Sequence, residues 1–451
     1  MKRIVASLGV AALGAACIQS SNAQVSGGDP SKSWSVSVAL RGFYDDNVNT
    51  ASDDASKIET FGVEVSPTLA FSLPLDQTTF SLAYTYAFLY YENPPTAQNG
   101  HDDQTHTVAA RMLHSFSERT TLSVSDSFVI GQEPDAIRAG PFITGFQYIS
   151  GNNVRNFGNI TVNHQITPKL GLELGYANAL YDYEDNIGDY PQPTVITQDG
   201  YPVGVSSISR SAALDRLEHT AHVDARWTLQ STTIALIGYQ FGLTKYTGDE
   251  PTQVITPPGG NYPTNNVLLY SDSRDSQAHT VYVGVEHNFR PDLFASARVG
   301  ARFNELYNSP DEESSISPYA TANLRYNYAR DCNLEAGVYH DRNATDAFSS
   351  VGSSITSDTE STVVYASVTH KILPELFGTL MGQFQNSTWI GGALDDTNEQ
   401  LYLFSANLEY RINRHISANL SYHFDHLDSD GTVLARSYDR NRVFLGATFT
   451  Y

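Results

Sequence analysis

From Trp34 onward the chain alternates apolar and polar residues with a period of two. Within 80–90, Phe80, Leu82, Tyr84, Tyr86, Phe88 and Tyr90 take one set of positions, and Ser81, Ala83, Thr85 and Ala87 take the other. Successive strand side chains point to opposite faces, so this segment has one greasy face and one small or polar face. The same register recurs at 61–73, where Phe61, Val63, Val65, Leu69, Phe71 and Leu73 oppose Glu64, Ser66, Thr68 and Ser72. It recurs again where Val281, Val283, Val285 and Phe289 oppose Thr280, Glu286 and Asn288, and where Ile416, Leu420, Tyr422 and Phe424 oppose Ser417, Asn419, Ser421, His423 and Asp425. Helical spacing fits none of these segments.

The connections between segments alternate in length. Short ones at Thr167-Pro168-Lys169, Arg290-Pro291-Asp292, Ala329-Arg330-Asp331, Pro374-Glu375 and Asn413-Arg414 carry the Pro, Asp and Asn of tight turns. Long ones at roughly 92–103, 132–152, 184–213, 247–275, 308–315, 346–358 and 428–437 are rich in Pro, Gly, Asp, Asn and Ser. Short turns at one rim and long loops at the other are the pattern of outer-membrane barrels, with the turns periplasmic. The expected fold is all-β: a transmembrane antiparallel up-and-down barrel of about 18 strands, with 16 possible, and both chain ends at the periplasmic rim. A soluble β-sandwich would alternate too. It would not need aromatics at both strand ends, yet Phe116, Trp227, Phe289, Phe294, Phe377 and Tyr410 flank short turns, and Tyr90, Tyr91, Tyr181, Tyr183, Tyr246, Tyr307 and Trp389 flank long loops. These read as two aromatic girdles.

Composition narrows the class. The 451 residues are 41% hydrophobic and 17% charged, too apolar for a disordered chain. The 27 Tyr and 21 Phe suit a half-buried pleated surface. Lys2 and Arg3, the apolar run Ile4–Ala16 and the small residues Ser21-Asn22-Ala23 read as a signal peptide over 1–23, leaving a barrel domain over 24–451. The run is too short to span a bilayer as a helix, and Leu13 lies four rather than three residues before Cys17, so a lipoprotein site is set aside. No other stretch approaches 18 consecutive apolar residues, which excludes a helical membrane protein but not a barrel. Cleavage would take the formal charge from −22 to −24, which argues against nucleic acid as a partner, and would leave Cys332 as the sole cysteine, so no internal disulfide forms.

The final strand places Val443, Leu445, Ala447, Phe449 and Tyr451 on one face and ends on an aromatic residue. It resembles the C-terminal signal, here Phe449 and Tyr451, that the outer-membrane barrel assembly machinery recognises. Tyr44-Asp45-Asp46-Asn47-Val48, followed by the hairpin series through Tyr451, resembles the bacterial β-barrel porin family designated type 2. The resemblance implies a protein of the bacterial outer membrane. Some members of that family accompany exopolysaccharide genes, which implies polysaccharide export and periplasmic export proteins as partners. Outer-membrane lipid and lipopolysaccharide are partners of any such barrel.

Catalytic and metal chemistry find little support. His219 and His222, three apart on a strand, face opposite sides and cannot share a metal. Ser421, His423 and Asp425 share a face, with His426 opposed to them, but neighbours on one polar face are expected in any barrel. Asp428-Ser429-Asp430-Gly431 lacks the later ligands of a calcium loop. Acid pairs such as Asp53-Asp54, Asp102-Asp103, Asp311-Glu312-Glu313 and Asp395-Asp396 read as solvated loops, with divalent cations bridging to lipopolysaccharide as a weaker reading. No enzyme activity, metal or cofactor is expected.

The inward charges carry more information. Alternation puts Glu64, Arg111, Glu173, Glu286, Arg298, Arg302, Arg325, Glu335 and Glu409 on the polar face, as expected where a lipid-facing Arg or Lys costs about 2–4 kcal/mol at the midplane. They are either ion-paired filler between strands or, for Arg298, Arg302 and Arg325, a basic strip opposite acids that sorts solutes. Three functions fit: a porin-like channel for hydrophilic solutes or saccharides, a polysaccharide-export component, and a structural or adhesive barrel with a plugged lumen. The first is favoured, because about 18 strands leave an aqueous channel. The loops at 247–275 and 184–213 are the candidates to fold inward and constrict it.

Overall fold

The computed structural model describes residues 33–52, 55–95, 100–131, 153–183, 194–205, 209–256, 259–309, 314–344, 356, 358–430 and 436–451. The segment read as a signal peptide lies outside them, as do the whole 132–152 connection and most of 346–358. The strands are β1 (Trp34–Asp45), β2 (Thr60–Pro74), β3 (Thr78–Tyr91), β4 (Asp102–Ser117), β5 (Thr120–Gly131), β6 (Asn153–Gln165), β7 (Leu170–Tyr183), β8 (Val195–Gln198), β9 (Tyr201–Val205), β10 (Arg216–Gln230), β11 (Thr233–Tyr246), β12 (Pro251–Ile255), β13 (Val267–Tyr270), β14 (Ser276–Arg290), β15 (Leu293–Leu306), β16 (Ser314–Ala329), β17 (Cys332–Asn343), β18 (Asp358–Lys371), β19 (Leu376–Ile390), β20 (Asn398–Asn413), β21 (Ile416–Ser429) and β22 (Tyr438–Thr450). A short helix, α1 (Arg210–Leu214), precedes β10.

Eighteen of these strands form one antiparallel sheet, and β1 pairs with β22 as well as with β2, so the sheet closes into a barrel. The hairpins β8–β9 and β12–β13 stand apart from it in the two longest connections. The barrel strands are 12–16 residues long, more than the ~9–11 a tilted crossing needs. Connections of two to four residues, such as 118–119, 231–232 and 330–331, alternate with long ones around the barrel. Two long connections, 46–59 and 391–397, complete the alternation that the turn residues foreshadow. Trp34 and Thr450 both lie at the short-turn rim.

Exposure separates the two faces as the alternation requires. On β14, Val281, Val283 and Val285 are 55%, 55% and 42% exposed, whereas Thr280, Tyr282 and Glu286 between and beside them are 1–3% exposed. The apolar set therefore faces outward, toward lipid. The polar set lines the inside. Two levels of histidine bound the apolar band on the outer face. Near the short turns, His114, His164 and His287 share hydrogen bonds with Thr78, Thr120 and Thr233 across the strand pair, at 2.7, 2.9 and 2.8 Å. Near the long loops, His106, His219 and His279 share them with the Tyr84, Tyr176 and Tyr239 hydroxyls, at 2.9, 2.7 and 2.7 Å. Rings with a polar tip belong at a membrane–water interface, where one end is wet.

The Tyr44–Val48 motif sits at the closing seam. Asp45 accepts from Arg440 on β22 through both carboxylate oxygens, at 2.6–3.2 Å, with both residues buried. The Asp46 carboxylate accepts from the backbone and side-chain N–H groups of Asn441 at 2.6 and 2.7 Å. The Asn47 amide donates to the carbonyls of Asp439 and Ala51. Val48 is fully buried beside Phe43 and Tyr91. Three consecutive polar residues thus clasp three consecutive residues of the last strand. Removing one partner of a buried ion pair strands the other charge, so Arg440→Ala should cost about 3–5 kcal/mol in urea unfolding of the refolded barrel. Adding Asp45→Ala should cost little more, and full additivity would show that the pair is not coupled.

Candidate functional site: the lumen wall and its mouth

The inner wall between β7 and β15 carries a continuous charge network. Glu173 on β7, with no exposed surface, accepts from Arg226 on β10 at 3.1 Å, and Arg226 also donates to Glu286 on β14. Asp224 accepts from Arg298 at 3.1 Å and from the Tyr282 hydroxyl at 2.5 Å. The His222 imidazole lies 3.6 Å from the Glu173 carboxylate. Three carboxylates therefore share two guanidinium groups beside one titratable ring. Glycines make the room: a Cβ on Gly175 would meet His222 at 1.9 Å, and one on Gly238 would meet Asp224 and Tyr282 at 2.3 Å. The large side chains lie flat across the sheet where its own side chains are missing.

The other sequence-predicted residues fall on this same face. Glu64 pairs with Arg41 across the β1–β2 register. Arg302 donates to Asp341 at 3.0 Å and to the Arg342 carbonyl. Arg325 and Glu335, directly opposed on β16 and β17, pair at 2.7 Å with their side chains still 50% and 37% exposed. Glu409 accepts from Arg411 at 2.9 Å. Arg298, Arg302 and Arg325 do sit on adjacent strands, but each is matched by a nearby acid, so their charge is compensated locally. Arg111 differs. It is exposed, lies between Ser81 and Ser125 in register, and has no ion pair among the described residues. The partners Arg41, Asp224, Arg226, Asp341 and Arg411 escaped the sequence reading, because only the register shows which same-face charges meet.

Ser421, His423 and Asp425 do not form a relay. Ser421 donates to Asn407 at 2.9 Å, Asp425 accepts from Arg442 at 2.7 Å, and the His423 ring packs edge-on against Phe444. His219 and His222 face opposite sides, outward to Tyr176 and inward to Glu173. Among the described residues, no three His, Cys, Asp or Glu side chains converge on a point that could hold a metal ion.

At the long-loop rim the described parts of two connections, 194–205 and 209–215 of the first and 247–256 and 259–275 of the second, fold together. Arg274 donates to the carbonyls of Ala212 and Ala213 at 3.1 and 2.6 Å, Ser211 donates to Glu250 at 2.7 Å, and Asn266 donates to the Pro202 carbonyl at 2.8 Å. Asp215 and Asp275 accept from the backbone N–H of Tyr183 and Tyr246, each at 2.7 Å, and so tie the loop bases to the barrel. Arg216 and Arg274 stack on the rings of the inward-facing Tyr181 and Tyr246 at 3.9 and 4.0 Å. Burial pulls the Arg274 guanidinium down, pushes the Asp275 carboxyl up, and pushes the Tyr307 hydroxyl beside Asp275 up to about 12. The sequence expectation named either loop as a constriction. The described parts of both pack against each other beside the ends of β7 and β11.

A closed 18-stranded barrel, apolar outside and polar inside, with short turns at one rim and long loops at the other, is an outer-membrane β-barrel of porin type. Residues 343–451 match the model of the family described as "Putative beta-barrel porin 2". Fold and family match together place the protein in the bacterial outer membrane. No curated protein matches the chain. Among solved structures it is similar to a BenF-like porin from Pseudomonas fluorescens Pf-5 (10% identity, 93% of this chain and 99% of that one, TM-score 0.44). It is also similar to OccK2 of Pseudomonas aeruginosa in complex with glucuronate (12%, 92% and 98%, 0.40) and to OccAB2 of Acinetobacter baumannii (9%, 93% and 98%, 0.42).

The glycine gaps give a test. Gly238→Val should overpack the wall and destabilise the barrel by about 1–3 kcal/mol in urea unfolding. Gly42→Val should be tolerated, because a Cβ there meets nothing closer than 4.0 Å. Equal stability of the two variants would show that the network does not need the gap.

Proposed function

We propose that the protein is a porin-like channel for the passive passage of hydrophilic solutes or saccharides. The observation that carries this is the closure of 18 strands around a polar inner face, a circumference that leaves an aqueous lumen once the wall side chains are accommodated. The wall network supports it, since charges paired along the wall do not have to reach across the lumen. In this reading the connections packed together at the long-loop rim would narrow access over one sector and make the entrance more selective. Polysaccharide export would add periplasmic partners to this same pore, and the C-terminal Phe449 and Tyr451 would serve its assembly.

Planar-bilayer recording of the refolded chain should show stepwise ion current, and its absence would overturn the open-channel reading. Selectivity should rest on Arg111, which has no ion pair among the described residues, more than on the compensated arginines. Arg111→Glu should raise cation preference, measured as a reversal-potential shift in a salt gradient, with barrel stability unchanged. An Arg111→Glu channel with wild-type selectivity would remove this residue from the conduction path.

A further inference from the structure

Between the two histidine levels the outer face carries one charged side chain among the described residues. On β5 the outward series reads Leu122, Val124, Asp126, Phe128, Ile130, so Asp126 sets a carboxylate on the greasy face. Its orientation is fixed by its neighbours. A Cβ on Gly158, its register partner, would meet Asp126 Oδ1 at 3.4 Å and Asn178 Oδ1 at 2.4 Å. Gly158 alternates with the outward Ile160 on β6. Its depth is fixed too. Asp126 lies four residues from Leu122 and four from Ile130, whose register partners are His114 and His106 of the two levels. The carboxylate therefore sits in the middle of the apolar band.

It is the end of a ladder. Asn156 Nδ2 donates to Asp126 Oδ1 at 3.0 Å, and Asn178 Nδ2 donates to Asn156 Oδ1 at 3.3 Å, spanning β5 to β7. Asp126 stays exposed, and its second carboxylate oxygen has no hydrogen-bond donor among the described residues. Acyl chains offer no donor, and an ionisable group against them is costly and usually has a protein partner. Ala110, beside Asp126 on β4, keeps that side of the patch shallow, while the Asn178 amide fills the space over Gly158 on the other.

We propose that the outer face of β4–β7 is where a second copy of this chain docks. All copies inserted in one orientation carry the ladder at the same depth, so a neighbour related by an axis along the membrane normal meets it level. An isologous contact needs a self-complementary patch. Asn156 spends both amide N–H groups within its own chain, on Asp126 and on the Ser127 carbonyl, whereas Asn178 spends one on Asn156, so Asn178 of one copy can supply the N–H that Asp126 of the other lacks, and the reverse.

The test is cysteine crosslinking of the full chain in outer membranes, in a Cys332→Ser background. Val124→Cys, beside Asp126, should give a bismaleimide adduct of twice the chain mass, and Val283→Cys on β14 should not. The triple variant Asp126→Val, Asn156→Val, Asn178→Val should lose the adduct and halve the protein mass in sedimentation, while keeping the heat-modifiable mobility of a folded barrel. A monomeric wild-type mass, equal crosslinking from both cysteines, or an adduct of another mass would overturn the proposal. If the triple variant does not fold, the wild-type mass and the two single-cysteine variants decide alone.

Discussion

Backbone hydrogen bonding in a medium without water governs everything else in this protein. Each unpaired N–H or C=O in the hydrocarbon region costs several kcal/mol, so a sheet that enters a membrane must have no edge. Here the edge is removed where β1 meets β22, and the closing contact joins residues at opposite ends of the chain. That junction forms from strands with the largest sequence separation available, the costliest contact to bring together. The Asp45–Arg440 pair and the Asp46 and Asn47 hydrogen bonds concentrate strong, directional interactions there. The seam can then resist opening as well as its neighbours do, although its ladder is shorter than those beside it.

The inner wall solves a different problem. Charges must be kept off the lipid face, yet a wide lumen gives them no opposing wall to pack against. The network around Glu173, Asp224, Arg226, Glu286 and Arg298 satisfies them sideways, strand to strand, with glycine positions taken up by the side chains that lie over them. The same arrangement decides which charges can act on a passing solute. A guanidinium held by a carboxylate presents little net field, while Arg111 meets no compensating acid among the described residues.

Much of the architecture was legible because the physics of a strand is local. Parity alone placed Glu64, Glu286 and Arg298 inward and separated His219 from His222, and turn chemistry located the short rim. The strand count followed from the same alternation, without any contact being known. What parity could not supply was partnership. Nothing in the sequence near Arg226 announces Glu173, which lies 53 positions away, because the register between strands is a tertiary property. Tyr44–Val48 stood out as a motif, but its role at the seam depends on residues 395 positions downstream. Asp126, which interrupts an outward series of apolar residues, escaped the sequence reading. Its significance needed the depth that only the paired strands provide.

The two histidine levels also act as a ruler. On β4 and on β14 the marked residues are eight apart, His106 to His114 and His279 to His287. At ~3.3 Å per residue that is about 26 Å along the strand. With a tilt of ~35–45° it is about 20 Å along the membrane normal. The bacterial outer membrane is thinner than average, and each ångström of mismatch costs a fraction of a kcal/mol. A barrel cut to this height fits that bilayer and is a poor match for a thicker one, so its geometry favours retention in the membrane where it belongs.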